Sequence, residues 1–144
     1  MDKLKLINQL KLDEGVRYQV YKDSLGYLTV GVGHLVLKKD NLKLGDTITE
    51  YQCDSFLVND LNETFVSCYR MFPMFDDLPE NVKQVIANMM FNLGYGNLSQ
   101  FKRFIKGIKI ADYELAAKSM EQSLWYTQVK GRAKRLVQEI RNTI

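Results

Sequence analysis

Two cysteines, two prolines, one histidine and one tryptophan in 144 residues exclude several classes of protein at once. Cys53 and Cys68 lie 15 residues apart in one stretch of helical pattern. A rise of about 1.5 Å per residue separates them by about 22 Å, whereas a disulfide needs Cα atoms within about 7 Å. A disulfide framework is therefore excluded, and both thiols are expected to be buried and free, as in a chain made in a reducing cytosol. His34, the single histidine, lacks the convergent partners that a metal site or general base requires, so neither metal nor cofactor is expected. The first ten residues never join more than two apolar side chains, which argues against a signal-peptide core and a membrane anchor. No repeat, low-complexity tract or linker interrupts the chain.

What is present is enough for one ordered domain over 1–144, with 46% hydrophobic and 26% charged residues, a balance unlike that of disordered chains. The net charge of +3 favours anionic partners without choosing among them. Leu4, Leu6, Ile7 and Leu10 recur at helical spacing, predicting a helix that Gly15 stops just past Glu14. Alternation from Val16 to Val32, broken by Asp23-Ser24-Leu25-Gly26, predicts a β-hairpin. Gly31 and Gly33 follow where the backbone must bend or approach something closely.

Thr49 and Gln52 form a capping-box pattern opening a long helix to about Met71. Pro73 ends that region. Pro79, at the first-turn position, opens another helix that is apolar almost all round and that Gly94 closes. Shorter helices are expected at about 99–106, 112–123 and 132–143, separated by Gly107 and by Trp125-Tyr126-Thr127. The architecture expected is α+β and mostly helical, with a β-containing lobe at about 15–48 and a helical lobe formed by 1–14 and 49–144.

Cleaving a glycosidic bond takes one carboxylic acid to protonate the leaving oxygen and a second carboxylate to activate water or stabilise the oxocarbenium-like transition state. Glu14 at a helix exit and Asp23 in the hairpin turn stand on opposite sides of a chain reversal. Thr29, on the return strand, offers a hydroxyl to position a water between them. Taken alone, acidic residues at helix ends and turns are more often solvated surface groups.

The segments Asp13-Glu14-Gly15-Val16-Arg17 and Tyr21-Lys22-Asp23-Ser24-Leu25-Gly26-Tyr27-Leu28-Thr29-Val30-Gly31-Val32-Gly33-His34-Leu35 resemble the active-site region of phage-type lysozymes. Eight residues separate Glu14 from Asp23 and five separate Asp23 from Thr29, as in that family. Asn88-Met89-Met90-Phe91-Asn92-Leu93-Gly94 is similar to its central helix, and Trp125-Tyr126 with Gly131-Arg132-Ala133-Lys134-Arg135 to its C-terminal signature. The resemblance implies a two-lobed lysozyme fold and a peptidoglycan muramidase that cleaves, with inversion, the β-1,4 bond between N-acetylmuramic acid and N-acetylglucosamine. It assigns Glu14 as general acid, Asp23 as assistant to the attacking water and Thr29 as its holder. Leu35 and Phe91 fall at positions lining the saccharide cleft, Arg132 at the position that orients the acid, and Asp60 at that of a structural carboxylate partner for His34. It implies a monomer, held in the host cytoplasm until a holin-type membrane lesion gives access to the wall, with no nucleic-acid partner. The segment from Leu35 to Thr49 is shorter, and the C-terminus earlier, than in the longest-studied members.

Other features have plainer readings. Asp13 reads as a solvated helix-end residue, Trp125 as a core anchor at a helix-to-helix turn, and Met89-Met90 as core filler. Gly31-Val32-Gly33 lacks the downstream glycine of a dinucleotide loop. Lys130, Arg132, Lys134, Arg135 and Arg141 read as the solvated face of a packed helix, with wall or membrane attraction as the functional alternative. Two rival functions follow: a lytic transglycosylase, which would yield an anhydro-sugar and which Asp23 and Thr29 argue against, and a non-enzymatic cationic wall- or membrane-active protein.

Overall fold

Leu6 and Leu10, one helical turn apart, are fully buried on the first helix, α1 (Lys3–Glu14), in the computed structural model, which describes residues 1–144. Gly15 ends α1 with φ +76°, its N–H returning to Lys11 O at 3.0 Å, the left-handed cap that glycine adopts without a side-chain clash. Strands β1 (Arg17–Lys22), β2 (Leu28–Gly31) and β3 (His34–Leu35) follow as an antiparallel sheet in the order β1-β2-β3. The register sets Tyr21 opposite Thr29 and Thr29 opposite Leu35. Directly paired residues share a face, so Tyr21, Thr29 and Leu35 form one row across the sheet.

The segment after β3 folds back on the free edge of β1. Val20 N–H donates to Asp46 O (2.8 Å), Gly45 N–H to Val20 O (3.0 Å) and Ile48 N–H to Tyr18 O (2.8 Å). The short 35–49 stretch thus satisfies backbone groups that an open edge would expose.

Thr49 then caps α2 (Glu50–Met71): its Oγ1 accepts from Gln52 N–H at 3.1 Å and its own N–H donates to Gln52 Oε1 at 2.8 Å, the reciprocal capping box anticipated. Cys53 and Cys68 are buried free thiols on this helix. Burial pushes Cys68 up to about 12 and also raises Cys53.

Four helices complete the chain after α3 (Glu80–Leu98): α4 (Lys102–Lys109), α5 (Tyr113–Glu121), α6 (Leu124–Val129) and α7 (Gly131–Arg141). Val82, Val85, Ile86, Ala87, Met89 and Met90 of α3 are buried. Each large side chain of this kind contributes about 1.5–3 kcal/mol on leaving water. Seven helices and one small sheet make the fold α+β and mostly helical.

Three boundaries differ from the sequence expectation. Gly94 (φ 78°, ψ 165°) kinks α3 and a last turn continues to Leu98. Gly107 does not separate helices but sits inside α4, where a Cβ would lie 2.8 Å from both Asp112 O and Ala116 N, so it is the residue that lets α5 approach. Trp125-Tyr126-Thr127 is itself helical, in α6, because Ser123 supplies a cap by accepting from Tyr126 N–H at 3.2 Å. Trp125 is buried and donates from Nε1 to Asn92 Oδ1 at 2.8 Å.

The chain divides into two compact units, Lys3–Glu63 and Thr64–Ile144 with Met1–Asp2. The whole segment 15–48 lies in the first, with α1 and the beginning of α2. No helix is long and apolar enough to cross a membrane.

Candidate active site

Glu14, Asp23 and Thr29 all belong to the unit Lys3–Glu63, each held by a different backbone device. Glu14 is the last residue of α1 and half-buried. Its carboxyl rests against the backbone at Gly33, where a Cβ would come within 2.7 Å of Oε1 and 2.8 Å of Cδ. Gly33 also has φ +59°. Of the close approaches read from the glycine pair, the one at Gly33 is to the acid itself and the one at Gly31 is to Cys53, whose Sγ would lie 3.3 Å from a Cβ.

Asp23 opens the β1–β2 turn. Its Oδ1 accepts from Leu25 N–H at 2.9 Å and Tyr27 N–H at 2.8 Å, an Asx-type arrangement that fixes the carboxylate and leaves Oδ2 for another partner. Thr29 is buried on β2 and donates its hydroxyl hydrogen to Tyr27 O at 3.0 Å. With that proton committed, Thr29 Oγ1 presents lone pairs and can accept from a water.

Tyr21, opposite Thr29, carries the Arg17 guanidinium over its ring at 4.1 Å. Burial raises the Tyr21 phenol, Arg17 opposes it, and the Glu14 and Asp23 charges add to the rise. Both carboxylates are thus near enough for Tyr21 to register their fields. Sequence reasoning passed over Arg17 and Tyr21, although the period-two alternation of β1 already set Tyr21 beside the hairpin turn.

Leu35, which the resemblance assigns to saccharide contact, lies in the same unit and is 51% exposed. His34, next to it, is buried. Its Nδ1 lies 2.7 Å from Asp60 Oδ2, its Nε2 lies 2.8 Å from Asp40 Oδ2, and its ring stacks on Phe56 at 4.1 Å and 7°. Burial alone would pull His34 down, but the hydrogen bonds and charges of Asp60 and Asp40 outweigh it and hold the imidazole above its ordinary 6.5. Asp40 was missed from sequence because it ends a single 3-10 turn, Lys38–Asp40, too short to show a periodicity, where its Oδ2 also accepts from Leu37 N–H at 2.8 Å.

In the unit Thr64–Ile144, Phe91 is half-buried on α3. Arg132, in the first turn of α7, donates from Nε to the buried Asn88 Oδ1 at 2.9 Å. The apolar face of α7, with Leu136, Val137 and Ile140, is buried as its amphipathic pattern implied.

Residues 11–141 match the phage lysozyme family. Among curated relatives, the probable T4-type lysozyme 1 of Dictyostelium discoideum is 30% identical over 92% of this chain and 91% of its own length. The pre-baseplate central spike protein Gp5 of Enterobacteria phage T4 is 26% identical over 92% of this chain, which spans only 27% of that protein. The peptidoglycan hydrolase gp36 of Pseudomonas phage phiKMV is 28% identical over 88% of this chain and 14% of its own length. A mostly helical α+β chain with an acid at the exit of its first helix and a carboxylate in the following hairpin turn falls within a defined class. The chain belongs to the phage lysozyme family.

Proposed function

We infer that this protein hydrolyses bacterial peptidoglycan, cutting the β-1,4 bond between N-acetylmuramic acid and N-acetylglucosamine with inversion. The observation that carries the reading is the seating of Glu14 against Gly33, in the same unit as an Asp23 carboxylate fixed by two turn amides. Family membership and the name of the phiKMV relative support peptidoglycan as the substrate.

In the mechanism proposed, Glu14 donates a proton to the glycosidic oxygen as the bond to the anomeric carbon breaks. A water on the opposite face of the sugar donates one hydrogen bond to Thr29 Oγ1. Asp23 Oδ2 takes its second proton as the oxygen attacks. Asp23 Oδ1 is engaged by the Leu25 and Tyr27 amides while Oδ2 is left to take a proton, an arrangement that supports an assisted water. Leu35 and Phe91 are assigned to saccharide contact and Arg132 to orienting the acid, on the family resemblance. The same resemblance supports a monomer released through a holin-type lesion.

The test is clearing of purified peptidoglycan by the native chain and by Glu14→Gln at matched circular dichroism. Removing a general acid costs about 10²–10⁴ in rate, so near-complete loss is expected, with reducing ends and no 1,6-anhydromuramic acid among the native products. Anhydro products would assign a transglycosylase. Equal clearing by both proteins would remove Glu14 from the mechanism and favour charge-driven action on the envelope.

A further inference from the structure

Helix α4 carries Lys102, Arg103, Lys106 and Lys109, all exposed, and no acidic residue. Residues three and four apart on a helix are neighbours, so 102/106, 103/106 and 106/109 are three like-charged pairs on one face. The helix packed beside it does not relieve them. On α5, Glu114 and Glu121 are both taken by Arg141 of α7, at 3.1 and 2.7 Å from its Nη2, and Asp112 caps α5 by accepting from Leu115 N–H. None of the four α4 side chains has an ion pair or side-chain hydrogen bond.

An open cavity of about 420 Å³ begins at the start of this face, lined by Gln100, Lys102, Arg103, Ser119, Gln122 and Ser123 among others. Its two serines donate their hydroxyl hydrogens to Ala116 O and Met120 O, at 2.7 and 2.6 Å. The side-chain donors left to face the cavity are therefore one ammonium, one guanidinium and two carboxamides, with no carboxylate among the lining residues. Such a lining suits an oxyanion with three or more acceptor oxygens, because a guanidinium, an ammonium and an amide can then be satisfied together. Lys106 and Lys109 continue the charge for about two turns beyond it.

We propose that this cavity and the cationic face of α4 bind a phosphate-bearing polyanion, one phosphate group in the cavity and its neighbours along Lys106 and Lys109. A linear phosphate polymer fits better than a bilayer: the apolar side of α4, Phe104, Gly107 and Ile108, is buried in the helical unit, and the exposed Ile110 at its end is a single side chain, not the continuous apolar face that entry into lipid takes. The site is independent of the hydrolytic reading.

The probe is fluorescently labelled linear polyphosphate, its anisotropy read across a salt series. The native chain is compared with a variant carrying Lys102→Gln, Arg103→Gln, Lys106→Gln and Lys109→Gln. A control carries Lys38→Gln, Lys39→Gln, Lys43→Gln and Lys134→Gln, an equal loss of exposed charge elsewhere. Binding is expected to weaken at least ten-fold in the α4 variant alone, and the slope of log K against log salt to fall by about three, as for four phosphates released from a single-stranded polyanion. Polyphosphate should also raise the melting temperature of the native chain and the control but not of the α4 variant, which must melt natively for the comparison to count; the pair Lys106→Gln with Lys109→Gln serves if it does not. Equal weakening in both variants would reduce the effect to net charge and overturn the site. Equally tight binding of polyglutamate would overturn the phosphate assignment, and binding confined to phosphatidylglycerol vesicles would replace the polymer with a membrane surface.

Discussion

Gly33 and Gly107 mark how differently the two units use the same residue. At Gly33 a side chain would strike the movable end of Glu14; at Gly107 it would strike the backbone of Asp112 and Ala116. Beyond the two aspartate side chains that hold His34, the unit Lys3–Glu63 spends its backbone on holding polar groups: Asp23 on turn amides and Thr29 on Tyr27 O. The unit Thr64–Ile144 spends it on closing helices over Phe104, Met120 and Ile140, all fully buried. Polar groups are fixed in place in the first, and most of the buried apolar side chains lie in the second.

The sharpest way to break that contrast is to add one methyl group to each. Gly33→Ala should displace the Glu14 carboxyl and lower kcat by about 10²-fold, the usual consequence of moving a reacting group by about an ångström. Its melting point should fall only modestly, through the φ +59° that alanine resists. Gly107→Ala should do the opposite, costing about 1–3 kcal/mol or more of stability through overpacking while leaving the rate per folded molecule unchanged. Peptidoglycan clearing and urea unfolding on the two variants separate these outcomes; an active Gly33→Ala enzyme would mean that Glu14 has room its seat does not suggest.

Much of this was legible beforehand because local rules agreed with the final packing. The capping box at Thr49, the left-handed stop at Gly15 and the helical spacing of Leu6 and Leu10 in α1 each specify their structure within a few residues. Gly107 misled because its reason lies on another helix: a glycine that lets α5 approach looks, in sequence, like one that ends α4. The α6 helix was hidden by its short length, six residues, in which no periodicity can develop. At the site, Glu14, Asp23 and Thr29 were visible only through family resemblance, since an acid at a helix end has no local signature of catalysis. Asp40 and Tyr21 depend on loop closure and strand register, which the sequence does not print.

The histidine cluster refines the contrast through pH. His34 is held above its ordinary 6.5, so its contribution is fully present below about 6.5 and is lost as pH rises through the folded value. For Asp40, burial raises the carboxyl, but the Leu37 amide and His34 outweigh it and hold it below its ordinary 3.8. Its contribution is present above that value and lost as pH falls through the folded one. Melting temperature should therefore be highest between about 4 and 6.5, and His34→Gln should flatten the alkaline limb. Asp60→Asn and Asp40→Asn should each lower the titration midpoint of the one imidazole in the NMR spectrum. If neither shifts it, the two carboxylates do not set the charge of His34.

The smallest effect expected is at the start of α2. Thr49 is exposed and touches no core residue through its hydroxyl, which serves only Gln52. Thr49→Ala should therefore cost about 1 kcal/mol, the typical loss of a helix cap, and Thr49→Ser should restore it, because serine keeps the acceptor oxygen and gives up only a methyl. Gln52→Ala removes the reciprocal half of the box, the acceptor of Thr49 N–H at 2.8 Å, and the double variant should lose less than the two single losses added, since each hydrogen bond supports the other. Strict additivity in urea unfolding would mean that the two halves act separately, and that α2 begins where it does because Cys53 and Leu57 are buried rather than because its first turn is capped.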